Sequence, residues 1–336
     1  MKKLIQVVVG FLISGAMLYV AFKDVNGAAI RESFARAAWW PVLPFLGFFA
    51  LHYFFRSLRW RCLLPQAERE LPTLRMLFDS MMLGNLATFL LPFRLGEFVR
   101  PLVLTRWSEY SFASSFISVV IERFFDLSAV LLSFVVIVQV LPDLPGWLHF
   151  AAYSLGGLSA GLLLFLIGGC LFPELISRVV SLCVRPLPAA LGGWIARFAG
   201  DLVRGAMVIK TPSRLLSILF LTTAVWVTAY LQFYCLLFMF PFNPSFLLSV
   251  ALGVFVALAI ALPSAPGFVG VFQAGCVAAF NLFAYPVSDA QVYSIIVHAL
   301  TYVLMVGIGF WLIAIHNLSL FELKRAAESR GTASQA

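Results

Sequence analysis

Six apolar runs decide what this chain can fold into. They fall at 4–22, 38–55, 112–141, 150–171, 213–240 and 290–316, each close to the length that crosses hydrocarbon as a helix. Two further regions, 76–106 and 245–283, are apolar but interrupted by Pro and Gly. Lipid offers the backbone no hydrogen bonds, so runs of this kind must fold as helices. Composition agrees: 62% of the 336 residues are hydrophobic and 11% are charged, against about 25% charge in a soluble domain. The expected fold class is all-α, a polytopic integral membrane protein, with no segment polar enough for a separate soluble domain. The start, MKKLIQVVVGFLISGAMLYVAF, has the outline of a signal peptide. Its apolar run is long enough for a full span, so it reads as a retained helix.

Charge orients the spans. Lys2 and Lys3 precede the first run, five arginines from Arg56 to Arg75 follow the second, and six basic residues, Arg178 to Arg214, run from the end of the fourth to the start of the fifth. Lys324, Arg325 and Arg330 follow the last run, whereas 142–149, 241–244 and 284–289 hold no Lys or Arg. The positive-inside rule then puts both termini in the cytoplasm. The net charge of +8 belongs to this pattern and not to nucleic acid, because no basic patch lies on a polar, foldable domain. RSLRWRCLL at 56–64 reads as a cytoplasmic anchor, with Trp60 at the interface and its arginines on lipid phosphates. The polar pieces 25–37 and 173–206 read as interfacial amphipathic helices.

Parity settles the broken regions. Residues 76–106 must start and end on the cytoplasmic side, and 94–106 carries three Arg and one Glu, too costly for a lipid-facing span. A re-entrant hairpin turning near Pro92 and Gly96 fits. Residues 245–283 start and end outside, as a second re-entrant hairpin or as two full spans. The turns read LPFRLG at 91–96 and LPSAPG at 262–267, both L-P-x-x-x-G. Opposite topology around a shared turn predicts one transmembrane domain over 1–336, with inverted-repeat halves of about 38–141 and 213–316. It has six full spans plus two broken hairpins.

Inside the third run sits VVIERFFDL, 119–127, with Glu122 and Asp126 four apart on one helix face and Arg123 between them. Glu122 lies about 15 Å along the axis from Phe112, near mid-depth in about 30 Å of hydrocarbon. Charges there need a partner or a wet cavity. The nearest candidates in sequence are Arg94, Glu97 and Arg100 of the first hairpin. Two readings stand: these charges pin the hairpin, or they line a cavity for a polar headgroup, since an arginine fork suits phosphate. The second tip, PSAPGFVGVFQ, offers Ser264 and Gln273 as donors around the turn residues Pro263, Pro266, Gly267 and Gly270. Asp79 and Asn85 read as polar glue, and His298 as a hydrogen-bonded core residue. The five cysteines and four histidines show no metal spacing, so no metal or cofactor is expected. No nucleophile elbow, zinc-protease motif or phosphate loop is present, so the chain is not expected to be an enzyme.

RSLRW, GNLATFLLPFRLGEFVRP, ERFFDL and LPSAPGFVGVFQ, in that order, resemble the lysylphosphatidylglycerol synthase transmembrane-region family, a flippase-like domain. The resemblance covers about 4–316. It implies a stand-alone bacterial inner-membrane member that moves a lipid headgroup across the bilayer. Members with two domains handle lysyl-phosphatidylglycerol; this chain ends soon after its last helix, so transfer of lysine from tRNA is not expected. On the family's motif positions fall Arg94, Gly96, Glu97, Arg100, Glu122, Arg123, Asp126, Pro263, Pro266, Gly267, Gly270 and Gln273. The expected substrate is an anionic phospholipid or a polyprenyl-type lipid, with Arg94, Arg100, Ser264 and Gln273 receiving the phosphate. Glu97, Glu122, Arg123 and Asp126 form the charge network. Lipid-synthesis enzymes are possible partners, and the rival reading is a membrane-embedded enzyme or scaffold in lipid-linked glycan or isoprenoid-lipid synthesis.

Overall fold

A continuous helix occupies each of the six apolar runs in the computed structural model: α1 (Lys2–Phe22), α3 (Val42–Leu63), α6 (Phe112–Val140), α7 (Gly146–Leu171), α9 (Pro212–Leu237) and α12 (Val287–Ile315). The structure describes residues 2–23, 26–65, 70–91, 95–141, 144, 146–185, 188, 191–193, 195–196, 199–200, 210–241 and 243–319, and no strand occurs among them. Three helices are long and apolar enough to cross a bilayer alone: α7 over Gly146–Gly169, α9 and α12. Helices α3 and α6 have the length, at 22 and 29 residues, but carry arginines and carboxylates in their interiors. Helix α1 passes together with α2 (Gly27–Arg36), from which it is bent by 81°. Asn26 caps α2, its Oδ1 accepting from the N–H groups of Ala28 and Ala29 at 3.1 and 3.3 Å. The helix expected over 25–37 is thus present. Helix α8 (Pro173–Val184) begins the second polar piece, most of which, beyond Arg185, lies outside the described residues.

Both broken regions are helical hairpins. The first pairs α4 (Leu74–Leu90) with α5 (Gly96–Trp107); its turn residues Pro92 and Arg94 lie outside the described residues. A Cβ on Gly96 would sit 1.9 Å from the Gly84 carbonyl oxygen and 2.0 Å from Thr88 Oγ1, so the two backbones touch there. The second pairs α10 (Phe246–Ala261) with α11 (Val271–Leu282). A Cβ on Gly275 would stand 3.0 Å from Phe255 O and Val256 Cα. The connection contains one 3₁₀ turn, Pro266–Phe268, and two left-handed glycines, Gly267 at φ +74° and Gly270 at φ +89°.

The chain forms two compact units. The first contains residues 1–53, 78–103 and 226–336, hence both hairpins; the second contains 54–77 and 104–225. Neither coincides with an expected repeat half. In the second unit α6 packs on α7, where the Gln139 amide donates to the Tyr153 hydroxyl. In the first, Tyr293 of α12 donates its hydroxyl to Phe233 O of α9 at 2.7 Å.

Gly96→Ala drives a methyl group into backbone, and overpacking of this kind costs about 1–3 kcal/mol. Gly47, mid-helix in α3, has nothing within 4 Å of an added Cβ. We expect Gly96→Ala to lower the melting temperature in detergent by several degrees and Gly47→Ala to leave it unchanged or raised.

Candidate functional site

Three arginines and two carboxylates assemble in the second unit. Arg56 and Arg59 lie three apart on α3, and Glu122 and Asp126 four apart on α6, so each pair shares one face of its helix. The Arg59 and Glu122 side chains are 0% exposed. Arg59 Nη1 donates to Asp126 Oδ1 at 2.7 Å and to Thr222 Oγ1 at 3.4 Å, while its Nη2 lies 3.2 Å from Glu122 Oε1. The same Glu122 oxygen accepts from Arg56 Nη2 at 3.1 Å and Arg123 Nη2 at 2.8 Å. Arg123 Nη2 also reaches Asp126 Oδ2 at 3.1 Å. Three guanidiniums against two carboxylates leave these five side chains at +1. Arg123 is the outlet, with 42% of its side chain exposed.

Apolar packing fixes the ionic groups. Leu63 of α3, Ile121 and Phe125 of α6 and Ile218 of α9 form a buried cluster. Trp60 is fully buried and donates Nε1–H to Ser118 Oγ at 2.9 Å; that hydroxyl donates to Ser115 O at 2.7 Å. Residues 56–60 therefore do not serve as the expected interfacial anchor. The helix runs on to Leu63, past the apolar run that ended at 55, and carries Arg59 and Trp60 inward. The acidic pair was legible as seeking cations; its partners on α3 were missed. The signal was there, as two arginines three apart, inseparable in sequence from the neighbouring topogenic arginines.

In the first unit the hairpin tips meet. The Phe89 ring packs edge-on against Phe268 and Tyr302, with centroids 5.6 Å apart in both cases. A Cβ on Gly267 would stand 3.1 Å from the Tyr302 ring and 3.5 Å from Phe89 O. The second turn is closed by four hydrogen-bonding groups in a loop. Gly270 N–H donates to Gln273 Oε1 at 2.8 Å, Gln273 Nε2 meets His298 Nδ1 at 2.8 Å, and His298 Nε2 meets Gly267 O at 2.7 Å. A carbonyl can only accept, so His298 Nε2 carries the proton and Nδ1 accepts from the Gln273 amide. Ser14 of α1 accepts from Ala265 N–H at 2.8 Å, and Gly270 has no room for a Cβ, which would lie 2.1 Å from Ser14 O.

The expected site residues thus fall in several places. Glu122, Arg123 and Asp126 come together. Gln273 holds its own turn, and His298 is a hydrogen-bonded core residue. Ser264 is half-buried beside α1, where its carbonyl oxygen would be 3.2 Å from a Cβ on Gly10. Pro263 is exposed and Pro266 opens the 3₁₀ turn. Glu97 is half-buried in the first turn of α5, where a helix N-terminus favours it. Arg100 is 5% exposed, its Cβ against Gly84. Asp79 accepts from His316 Nε2 at 2.9 Å, and Asn85 is half-buried on the same helix, α4.

The family model described as the lysylphosphatidylglycerol synthase TM region matches residues 7–309, and the chain belongs to that family. No curated protein and no solved structure matches it.

Arg59→Met removes the one fully buried cation between Glu122 and Asp126 and leaves them only the more exposed Arg56 and Arg123; removing one partner of a buried pair costs about 3–5 kcal/mol. Arg123→Gln, at the exposed rim, should cost under about 1 kcal/mol; thermal unfolding in detergent ranks the two. His298→Phe opens the turn's loop of hydrogen bonds. Amide hydrogen exchange should then rise across 265–270 while α6 stays protected.

Proposed function

We propose that this member of the lysylphosphatidylglycerol synthase transmembrane-region family moves a lipid with an anionic headgroup across the membrane, and that the α3–α6 ionic cluster holds the phosphate. The observation that carries the reading is the gathering of three guanidiniums on Glu122 and Asp126, which ends in the partly exposed Arg123. A headgroup phosphate would take the place of Asp126 or Glu122 on Arg123, with Arg56 as second donor. Arginine gives planar, bidentate bonds to phosphate and keeps its charge at every physiological pH. Arg59, fully buried and ion-paired with both carboxylates, would act as the fixed post against which Arg123 exchanges. A buried ion pair with nearly balanced charge can trade one anion for another without leaving a bare charge in a low-dielectric interior.

The wider architecture we propose is the inverted repeat, with six spans, two re-entrant hairpins and both termini on the cytoplasmic side of a bacterial inner membrane. Support comes from the distribution of Lys and Arg, from two hairpins each closed on a glycine, and from the meeting of their tips. Repeats of this kind rock about a site between them. Within the first unit, Arg94 and Arg100 are proposed as phosphate donors of their own, Ser264 as a hydroxyl donor, and Gln273 as the residue that keeps the second turn in shape.

The test is lipid translocation in proteoliposomes, read with head-labelled phosphatidylglycerol and dithionite quenching. Arg123→Gln should slow translocation at least tenfold and Arg123→Lys less, in protein that elutes and melts like the parent. Unchanged rates in both variants would sink the proposal. A covalently altered lipid in the same vesicles would favour a membrane enzyme instead.

A further inference from the structure

The elbow between α1 and α2 opens a cavity of about 350 Å³ in the first unit, within the 300–1,000 Å³ range of ligand sites. Val20 of α1 and Ala274 and Ala278 of α11 line it together with Lys23, Asn281 and Gln291. We infer that this cavity binds one anionic phospholipid, with an acyl chain between α1 and α11 and the phosphate at Lys23 and the Asn281 amide.

Depth argues for a lipid. Helix α1 is an apolar span with exposed Phe11, Leu12 and Tyr19. Helix α2 leaves it at 81°, and the exposed Phe34, Trp39 and Trp40 follow. An amphipathic helix flanked by aromatic rings lies at headgroup level. The elbow therefore sits where acyl chains end and phosphates begin.

The elbow is also pre-formed. Gln291 Nε2 donates to Ala21 O at 2.8 Å, and Ser33 Oγ donates to Asp289 Oδ1 at 2.6 Å, both bonds buried. They tie α1 and α2 to the start of α12. The hydroxyl bond also takes up the carboxylate of Asp289, which is 5% exposed. The small side chains on α11 make the slot: larger ones at 274 or 278 would close it.

Native mass spectrometry tests this. Purified protein is exchanged into detergent with equal dioleoyl-phosphatidylglycerol and dioleoyl-phosphatidylcholine, and retained lipid is counted. We expect one tightly held phosphatidylglycerol, preferred at least fivefold, lost in Ala278→Phe. Lys23 is exposed, so Lys23→Gln should fold normally and abolish the preference for the anionic lipid. Equal retention of the two lipids by the parent protein, or retained preference in Lys23→Gln, overturns the inference. So does full retention in a folded Ala278→Phe; if that variant fails to fold, Lys23→Gln decides alone. The site rests on membrane placement and not on transport. Retained phosphatidylglycerol in protein that moves no lipid would defeat the transport reading only.

Discussion

A fully buried guanidinium organises this protein. Arg59 cannot sit among apolar side chains unless its charge is met, and Asp126 and Glu122 meet it at 2.7 and 3.2 Å. The requirement is mutual, because Glu122 is as buried as Arg59. Removing either member leaves a charge whose desolvation outweighs any local packing gain. This constraint ties α3 to α6 at a fixed register. Trp60 and Ser118 reinforce that register one turn away with a hydrogen bond of their own. An apolar replacement of the whole set would hold two helices together at least as well.

The hairpins solve a different problem. A helix that stops inside an apolar protein exposes carbonyls and N–H groups with nowhere to go. The second hairpin answers with side chains, as Gln273 and His298 carry hydrogen bonds from Gly270 around to Gly267. Both hairpins then close by bringing backbone against backbone at glycine, which turns a break in a helix into a rigid wedge. Phe89 and Phe268 place the wedges tip to tip.

Much of this was legible in the sequence, for physical reasons. Helices had to form where apolar runs exceed span length, and they broke where Pro and Gly interrupt. The acidic pair at 122 and 126 announced itself because carboxylates are so rare at that depth. What stayed hidden was where each apolar element ends. The run 38–55 stops at Arg56, yet the helix continues to Leu63, since a buried carboxylate partner offsets the cost of carrying an arginine inward. Hydropathy marks contact with lipid, while Arg56 and Arg59 contact protein. The turn's own hydrogen bonds were likewise invisible, because Gln273 and His298 are 25 residues apart and neither type is diagnostic alone. The expected repeat halves describe sequence order. The compact units follow packing, and packing puts both hairpins in one body.

The seat of the second hairpin on α1 bears on biogenesis. The Ser14 hydroxyl waits for an amide 251 residues further along the chain. At about 5–20 residues per second, roughly ten to fifty seconds separate the emergence of the two ends from the ribosome. The first helix must therefore reside in the bilayer with its glycine and serine ridge uncovered while most of the protein is still being made. Its strongly apolar outer face, which lets it dwell stably in lipid, is what makes so late a docking feasible.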